Sequence, residues 1–297
     1  MKKLTLALAG AAVFAFAGGA QAADLPLKAA PVAQQPISGY VGLYVGGTWW
    51  DETYNPSSGN AFVFGGEGRL NYWVLPTLSV QIDMEAEATT QIKINGGNNV
   101  DGRIHGVIGG HVAWRNPSVG TLGAFGAFSG ANNLDYQGQM VHGMIGVEGQ
   151  RYFNMLTLYG QAGWAGRITG SDEYEPQALW FVRGVGRYFL TPNDKIQVEI
   201  GYADGPEIYA TDTRHHITNW GVLYEHKFSN PFSAYVEYAG FNTEATNDGY
   251  RATEHMVMVG LRAYLNQGTL LSNDRNGATF DLPKFVRALP WSYMIAP

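Results

Sequence analysis

From Leu78 to Thr89 the chain alternates without a break. Leu78, Val80, Ile82, Met84, Ala86 and Ala88 fall on one side, and Ser79, Gln81, Asp83, Glu85, Glu87 and Thr89 on the other. A period of two is a strand with one apolar and one strongly charged face. The run before it, from Ala61, repeats the pattern less cleanly: Phe62, Phe64, Leu70 and Tyr72 alternate with Glu67, Arg69 and Asn71. A soluble sheet would bury the apolar face and leave the charges outside, but these runs are long for that solution. About 13 residues at roughly 3.3 Å each, tilted by about 45°, cover roughly 30 Å, the thickness of a bilayer's hydrocarbon core. The pair therefore reads as two staves of a transmembrane β-barrel, apolar toward lipid and charged toward the lumen.

The start of the chain agrees. Lys2 and Lys3 precede an Ala-rich apolar stretch, Leu4 to Gly19, and the small-residue site Ala20-Gln21-Ala22. This is the pattern of a secretory signal peptide over residues 1–22, too short and too small-ended for a spanning helix. Its removal takes the formal net charge from −6 to −8, because the two lysines are its only charged residues. The chain has no cysteine, which excludes disulfides and thiolate chemistry. No long apolar run follows the leader, so the spanning solution left is a closed barrel, which alone satisfies every backbone polar group in lipid without helices. The 39 glycines, set beside 8 Trp, 17 Tyr and 14 Phe, suit many curved strands with aromatic anchors at two membrane interfaces better than a soluble α/β enzyme. A secreted β-sandwich is the soluble competitor.

Residues 23–38 form a Pro/Ala/Gln tether. The first strand follows, with Val41, Leu43 and Val45 alternating with Tyr40, Gly42 and Tyr44. The leader, the tether opening Ala23-Asp24-Leu25-Pro26 and the run Gly39-Tyr40-Val41-Gly42-Leu43-Tyr44-Val45-Gly46-Gly47 together resemble the small, porin-like outer-membrane β-barrel proteins of alphaproteobacteria. Many of those begin A-D-L and open the barrel with a W/Y-x-G-x-Y-x-G-G strand. The resemblance covers about fifty residues and implies a barrel in the bacterial outer membrane. Family members typically have eight strands and end on an aromatic residue; this chain departs on both points.

Alternation and turn residues place the other strands near 61–73, 78–90, 101–115, 121–131, 139–153, 156–168, 177–190, 195–204, 215–228, 232–241 and 253–265. That makes an all-β chain, a transmembrane antiparallel up-and-down barrel of twelve strands over residues 39–265. Short Pro-, Asn- and Asp-containing turns near 74–77, 116–120, 154, 191–194 and 229–231 interleave with longer loops near 51–60, 91–100, 132–138, 169–176, 205–214 and 242–252. The interleaving is that of periplasmic turns and extracellular loops. The tenth strand is the least regular, because Trp220, Val222, Tyr224 and Phe228 share a face with His216 and His226.

The charged parity gives the pore-lining candidates: Glu67, Arg69, Asp83, Glu85, Glu87, Arg103, Arg115, Glu148, Arg167, Arg183, Arg187, Glu199, Glu237 and Arg262, with Gln81, His105, His111, His142, Tyr159, Gln161, Gln197, Tyr235 and Glu254 beside them. The acid row Asp83, Glu85, Glu87 and the pair Arg183, Arg187 lie five strands apart, close to opposite walls. Two arrangements follow. The walls could hold a transverse field that orients dipolar solutes and filters ions. Alternatively, Arg69 and Arg103 neutralise the acid row and Glu199 neutralises Arg183, leaving a salt-bridged core.

Hydrolytic chemistry has little support. Neither G-x-S-x-G nor H-E-x-x-H occurs. Asp204, Glu207, Asp212, His215 and His216 cluster in sequence at the fifth loop, where they could activate a water, hold a divalent cation, or simply face lipopolysaccharide. Asp172, Glu173 and Glu175 read as a solvated loop. Gly65-Gly66-Glu67-Gly68 and Gly184-Val185-Gly186 precede no helix and read as strand curvature rather than phosphate loops. Nothing calls for a metal, a cofactor, a catalytic residue or nucleic acid. Residues 266–297 form a periplasmic tail. It could plug the lumen, lie on the rim, or dock a periplasmic partner through Phe280, Phe285 and Trp291. The expected function is a small passive channel for polar solutes or ions. Beside it stand a non-conducting barrel working through its loops and tail, and a barrel hydrolase of lipid or peptide.

Overall fold

The computed structural model describes residues 36–53, 58–94, 102–133, 138–169, 177–206, 213–229, 231–246 and 249–287. The expected signal sequence, the tether up to residue 35, Asp172, Glu173, Glu175, Glu207, Asp212, Trp291 and Tyr293 lie outside the described residues.

Twelve strands form one antiparallel sheet: β1 (Ile37–Glu52), β2 (Ser58–Leu75), β3 (Leu78–Thr89), β4 (Arg103–Asn116), β5 (Gly120–Asn133), β6 (Gly138–Phe153), β7 (Leu156–Thr169), β8 (Ala178–Thr191), β9 (Asp194–Pro206), β10 (Arg214–Lys227), β11 (Phe232–Ala245) and β12 (Tyr250–Tyr264). Each strand pairs with its sequence neighbour. β1 pairs with β2 from Ile37↔Tyr72 to Asp51↔Ser58, and with β12 from Tyr40↔Tyr264 to Glu52↔Ala252. The second ladder closes the ring, so that each of the twelve strands is paired on both sides, the condition a lipid environment imposes. Lys93–Ile94 adds a two-residue bridge to Gly59 and Asn60 at the long-loop end.

The faces are inverted relative to a soluble protein. Leu43 (74% exposed), Ile145 (70%), Leu122, Ile200 and Leu261 point outward. Arg115, Glu225, Ser233 and Thr157 are fully buried inside. Exposed apolar area on this scale, running round the whole barrel, is what a hydrocarbon environment covers. Some large inward rings lie over a directly paired glycine. Tyr44 faces Gly65 and Tyr235 faces Gly260 across their ladders. A Cβ at either glycine would come within 2.4 Å of the ring, so no larger residue fits without moving the tyrosine. This pairing is one structural reason glycines and aromatics are both abundant.

Strand positions follow the alternation closely, and most differences lie at the long-loop end. β2 starts at Ser58, β11 runs to Ala245, and β12 starts at Tyr250. The sixth connection is therefore the short stretch 246–249 rather than a loop over 242–252. Asn242, Thr243 and Glu244 suggest loop chemistry, yet they are laddered to Thr253, Ala252 and Arg251, and Arg251 bonds Glu244 at 3.0 Å. β1 starts at Ile37 and takes the last two residues of the expected tether. β10 keeps its period despite its histidines. Trp220, Val222 and Tyr224 face out with His216 and His226, while Asn219, Leu223, Glu225 and Lys227 face in. His226 is held by Asp194 at 2.7 Å beside a short turn.

Placing a charge on the outer belt should destabilise the barrel in proportion to its depth. Leu43→Arg is expected to lower unfolding free energy in phospholipid vesicles by about 2–4 kcal/mol if the position is near mid-plane, and far more than Leu43→Val. Equal denaturant midpoints for the two variants would mean that this face does not meet hydrocarbon.

Candidate functional site

Tyr264 ends the last strand and packs on Tyr40 at the seam of the barrel, with 5.3 Å between ring centroids. Beyond it the chain turns into the lumen. Helix α1 (Leu270–Asn276) begins after Thr269, whose hydroxyl accepts from the Ser272 N–H at 3.0 Å and caps it. Three contacts fix α1 at the short-turn end. The Leu271 N–H donates to the Pro192 carbonyl at 3.0 Å, the Trp73 indole donates to the Asn276 carbonyl at 2.7 Å, and Arg275 donates to the Asn154 carbonyl at 2.9 Å.

From Gly277 the segment runs up the lumen, and wall side chains satisfy its backbone. Arg115 donates to the Gly277 carbonyl at 2.8 Å. The Gln81 amide donates to the Phe280 carbonyl at 2.8 Å and accepts from its N–H at 3.3 Å. Gln161 donates to the Asp281 carbonyl at 2.8 Å. The Phe280 ring is fully buried, stacked on His111 at 5.4 Å and tilted against Tyr159 at 6.3 Å. Phe285 packs on Phe181 at 5.0 Å. Both rings are enclosed by the barrel, so neither is presented to a periplasmic partner.

The charges of the segment meet opposite charges on the wall. Asp281 pairs with Arg183, with Arg187 at 2.9 Å and with Arg69 at 3.9 Å. Asp274 takes Arg187 at 3.0 Å. A short 3-10 turn, Lys284–Arg287, brings Lys284 to Glu237 and Arg287 to Glu85, with Glu87 at 3.6 Å. Burial alone would raise the Asp281 carboxyl, but the guanidinium groups of Arg183, Arg187 and Arg69 outweigh it and hold the carboxyl well below the usual carboxylate range. Burial alone would lower the Lys284 ammonium; Glu237 and Glu199 reverse that and raise it.

All fourteen charged candidates from the sequence lie on the inner parity. Arg69 is 3.6 Å from Asp83; Arg103 is 3.7 Å from Glu87 and 3.4 Å from Glu254; Arg183 is 2.7 Å from Glu199; Arg262 is 2.7 Å from Glu67. Glu148 accepts from Tyr159 at 2.7 Å and meets His111 at 2.8 Å. Arg115 bonds Asn71 at 3.0 Å. Arg167 is half-buried opposite His142. These local pairs, together with Asp281 on the arginine wall and Arg287 on the acid wall, replace the transverse field by a neutralised interior. The sequence reading missed Glu225, which bonds Lys195 and Arg262 at 2.7 Å each, and the tail charges Asp274, Asp281, Lys284 and Arg287. For Glu225 the signal was present: it shares parity with Asn219 and Leu223, opposite the aromatic face of β10.

The two histidines of the fifth-loop cluster do not converge. His215 and His216 are consecutive in a strand and point to opposite faces. The Asp204 carboxylate is taken by Arg214 at 2.6 and 3.0 Å and by the Trp180 indole at 3.0 Å, with His216 at 3.3 Å stacked on Tyr202. The glycine-rich stretches lie inside β2 and β8.

The depressed Asp281 carboxyl fixes the sign of a pH effect. Its contribution to docking is fully present above the ordinary carboxylate value, about 3.9, and is lost as pH falls from there toward its lower docked value. Because the chain has no cysteine, a nitroxide on Ser272→Cys would report docking alone. The label should stay immobilised from pH 8 to about 5 and loosen only below about pH 4; loosening already near pH 6 would contradict the assignment.

No protein-family model matches the chain, and no curated protein matches it by sequence. Its fold is similar to that of an outer membrane channel from Pseudomonas putida F1, with a TM-score of 0.59 and 13% identity over 80% of this chain and 100% of that one. Weaker likenesses include the translocator domain of the autotransporter NalP from Neisseria meningitidis (TM-score 0.46, 10% identity, 78% and 90% covered) and the KdgM porin (TM-score 0.43, 8% identity, 74% and 98% covered). At these identities the likeness concerns the fold, and the fold is that of an outer-membrane β-barrel.

Proposed function

We propose that the chain is an outer-membrane channel for small polar solutes or ions, and that the segment after the last strand, described over residues 266–287, is its resident plug. One observation supports this reading: charges on the wall depend on a segment outside the strands for their partners. Among the described residues, the carboxylates paired with Arg187 are Asp274 and Asp281, and the cations paired with Glu85 and Glu237 are Arg287 and Lys284. A barrel evolved only as a solid post would place those partners on neighbouring strands, as it does for Arg69 and Asp83. Twelve strands also enclose more room than the eight that side chains fill and less than the sixteen that hold a wide aqueous channel. With the segment in place, the lumen keeps cavities of about 60 and 30 Å³ beside it.

Residues 1–22 act as a cleaved export signal in this reading, and the outer belt meets lipid and lipopolysaccharide. The inward charged residues named from the sequence line the path once the plug leaves. A second reading, a non-conducting barrel working through its loops, draws on the many wall pairs that need no tail, such as Arg262 with Glu67 and Arg183 with Glu199.

The exposed link at Leu265 and Gln267 allows the two to be separated. A protease site placed there would be cut after the whole chain has folded, and single-channel currents recorded before and after cutting. We expect the intact protein to be nearly silent. Cutting and washing should raise open probability by at least about tenfold, the ratio given by the loss of ~1.4 kcal/mol of docking. Silence after verified loss of the segment would favour the non-conducting barrel.

A further inference from the structure

The geometry points to a solute-binding site under the plug, selective for solutes that carry a carboxylate and a cationic group together, such as basic amino acids or short peptides. The site rests on the channel reading and names its substrate class. Asp281 occupies a cage of three guanidinium groups, and in the 3-10 turn that follows Lys284 and Arg287 occupy carboxylates of β11 and β3. The segment is thus an anion followed by cations, lying among strands that present cations and then anions. Glu199 lies 2.7 Å from Arg183, which holds Asp281, and 3.9 Å from Lys284, so the two pockets adjoin and are within reach of one small molecule. Arginine's planar fork suits carboxylate binding.

Two features make the site a place of exchange rather than a fixed core. Both cavities border Asp281, Lys284 and Arg287, with Arg69 and Glu85 on the facing wall, so open space already reaches the ion pairs. The wall groups left unpaired by departure of the segment have both signs: Arg187 on one side, Glu85 and Glu237 on the other. A plain anion relieves only the first and a plain cation only the second. A solute with both replaces the segment's contacts, which is competition for one site.

The test uses the whole chain, folded and then cut at the link, so that the segment stays bound without a covalent tether. L-arginine, glutarate, cadaverine and potassium chloride are added at matched ionic strength, and the released peptide is measured by mass spectrometry. Arginine should release half of it at a concentration about tenfold below glutarate or cadaverine. Arg187→Gln should remove arginine's advantage over cadaverine, and Glu237→Gln its advantage over glutarate. If cutting alone frees the peptide, equilibrium dialysis of labelled arginine against the emptied barrel is read instead, with retention expected and lost in Arg187→Gln. Equal release by all four solutes, no release by any, or no retention overturns the site. Release is read without current, so a barrel that exchanges its peptide for arginine but never conducts would overturn the channel reading alone.

Discussion

A charge enclosed by a ring of strands must find its counter-charge inside that ring. The outer face of this barrel is apolar over its belt, so the inner face receives most of the ionisable side chains of the strands, and little room remains for water to solvate them. Leaving one such charge unpaired costs several kcal/mol. Most of the interior obeys this locally, through cross-strand pairs such as Arg69 with Asp83 and Arg262 with Glu67. Among the described residues Arg187, Glu85 and Glu237 depart from it, and the C-terminal segment supplies their partners. The position of that segment follows from the same rule that orients the strands.

The strands were legible in the sequence because alternation is a local property. Each strand announces its own period, and the turn residues between them are read over a few positions. The partners of the inward charges were less legible. Arg69 and Asp83 sit on adjacent strands of one hairpin, and hairpin register suggests their meeting. Arg183 and Asp281 are separated by 98 residues, and no local pattern joins them. The segment does carry a hint: Asp281, Lys284 and Arg287 are interleaved with Phe280, Leu282 and Phe285, a mixture that neither a solvated tail nor an apolar core requires. It matches a charged lumen. Where composition misled, as at Asn242 to Glu244, loop-like residues were held in a ladder by the strand opposite.

The two histidines at the fifth loop illustrate the opposite limit. Proximity in sequence suggested a joint site, but a strand sends neighbours to opposite faces. Extended backbone separates what a loop or helix could have gathered, so catalytic constellations on barrels must come from different strands. That condition is met in the lumen, where β2, β3, β4, β7, β8 and β11 all send groups to one segment; near the fifth loop the groups that β8, β9 and β10 bring together are already spent on one another, Asp204 being held by Arg214 and Trp180.

Why would a plug be used rather than a better-paired wall? A tethered segment is held at high effective concentration, so each of its ion pairs would need to contribute little for a closed state to dominate. In the proposed reading each pair would also be exchangeable, because a free solute of matching charge could take the same wall groups. Pairs confined to the wall would be more stable and would offer nothing to a solute. In the proposed reading this mixed pattern, wall pairs around most of the ring and segment pairs to β3, β8 and β11, would keep the barrel folded were the segment to leave. The wall pairs would maintain the ring while the segment pairs would set what can replace the segment.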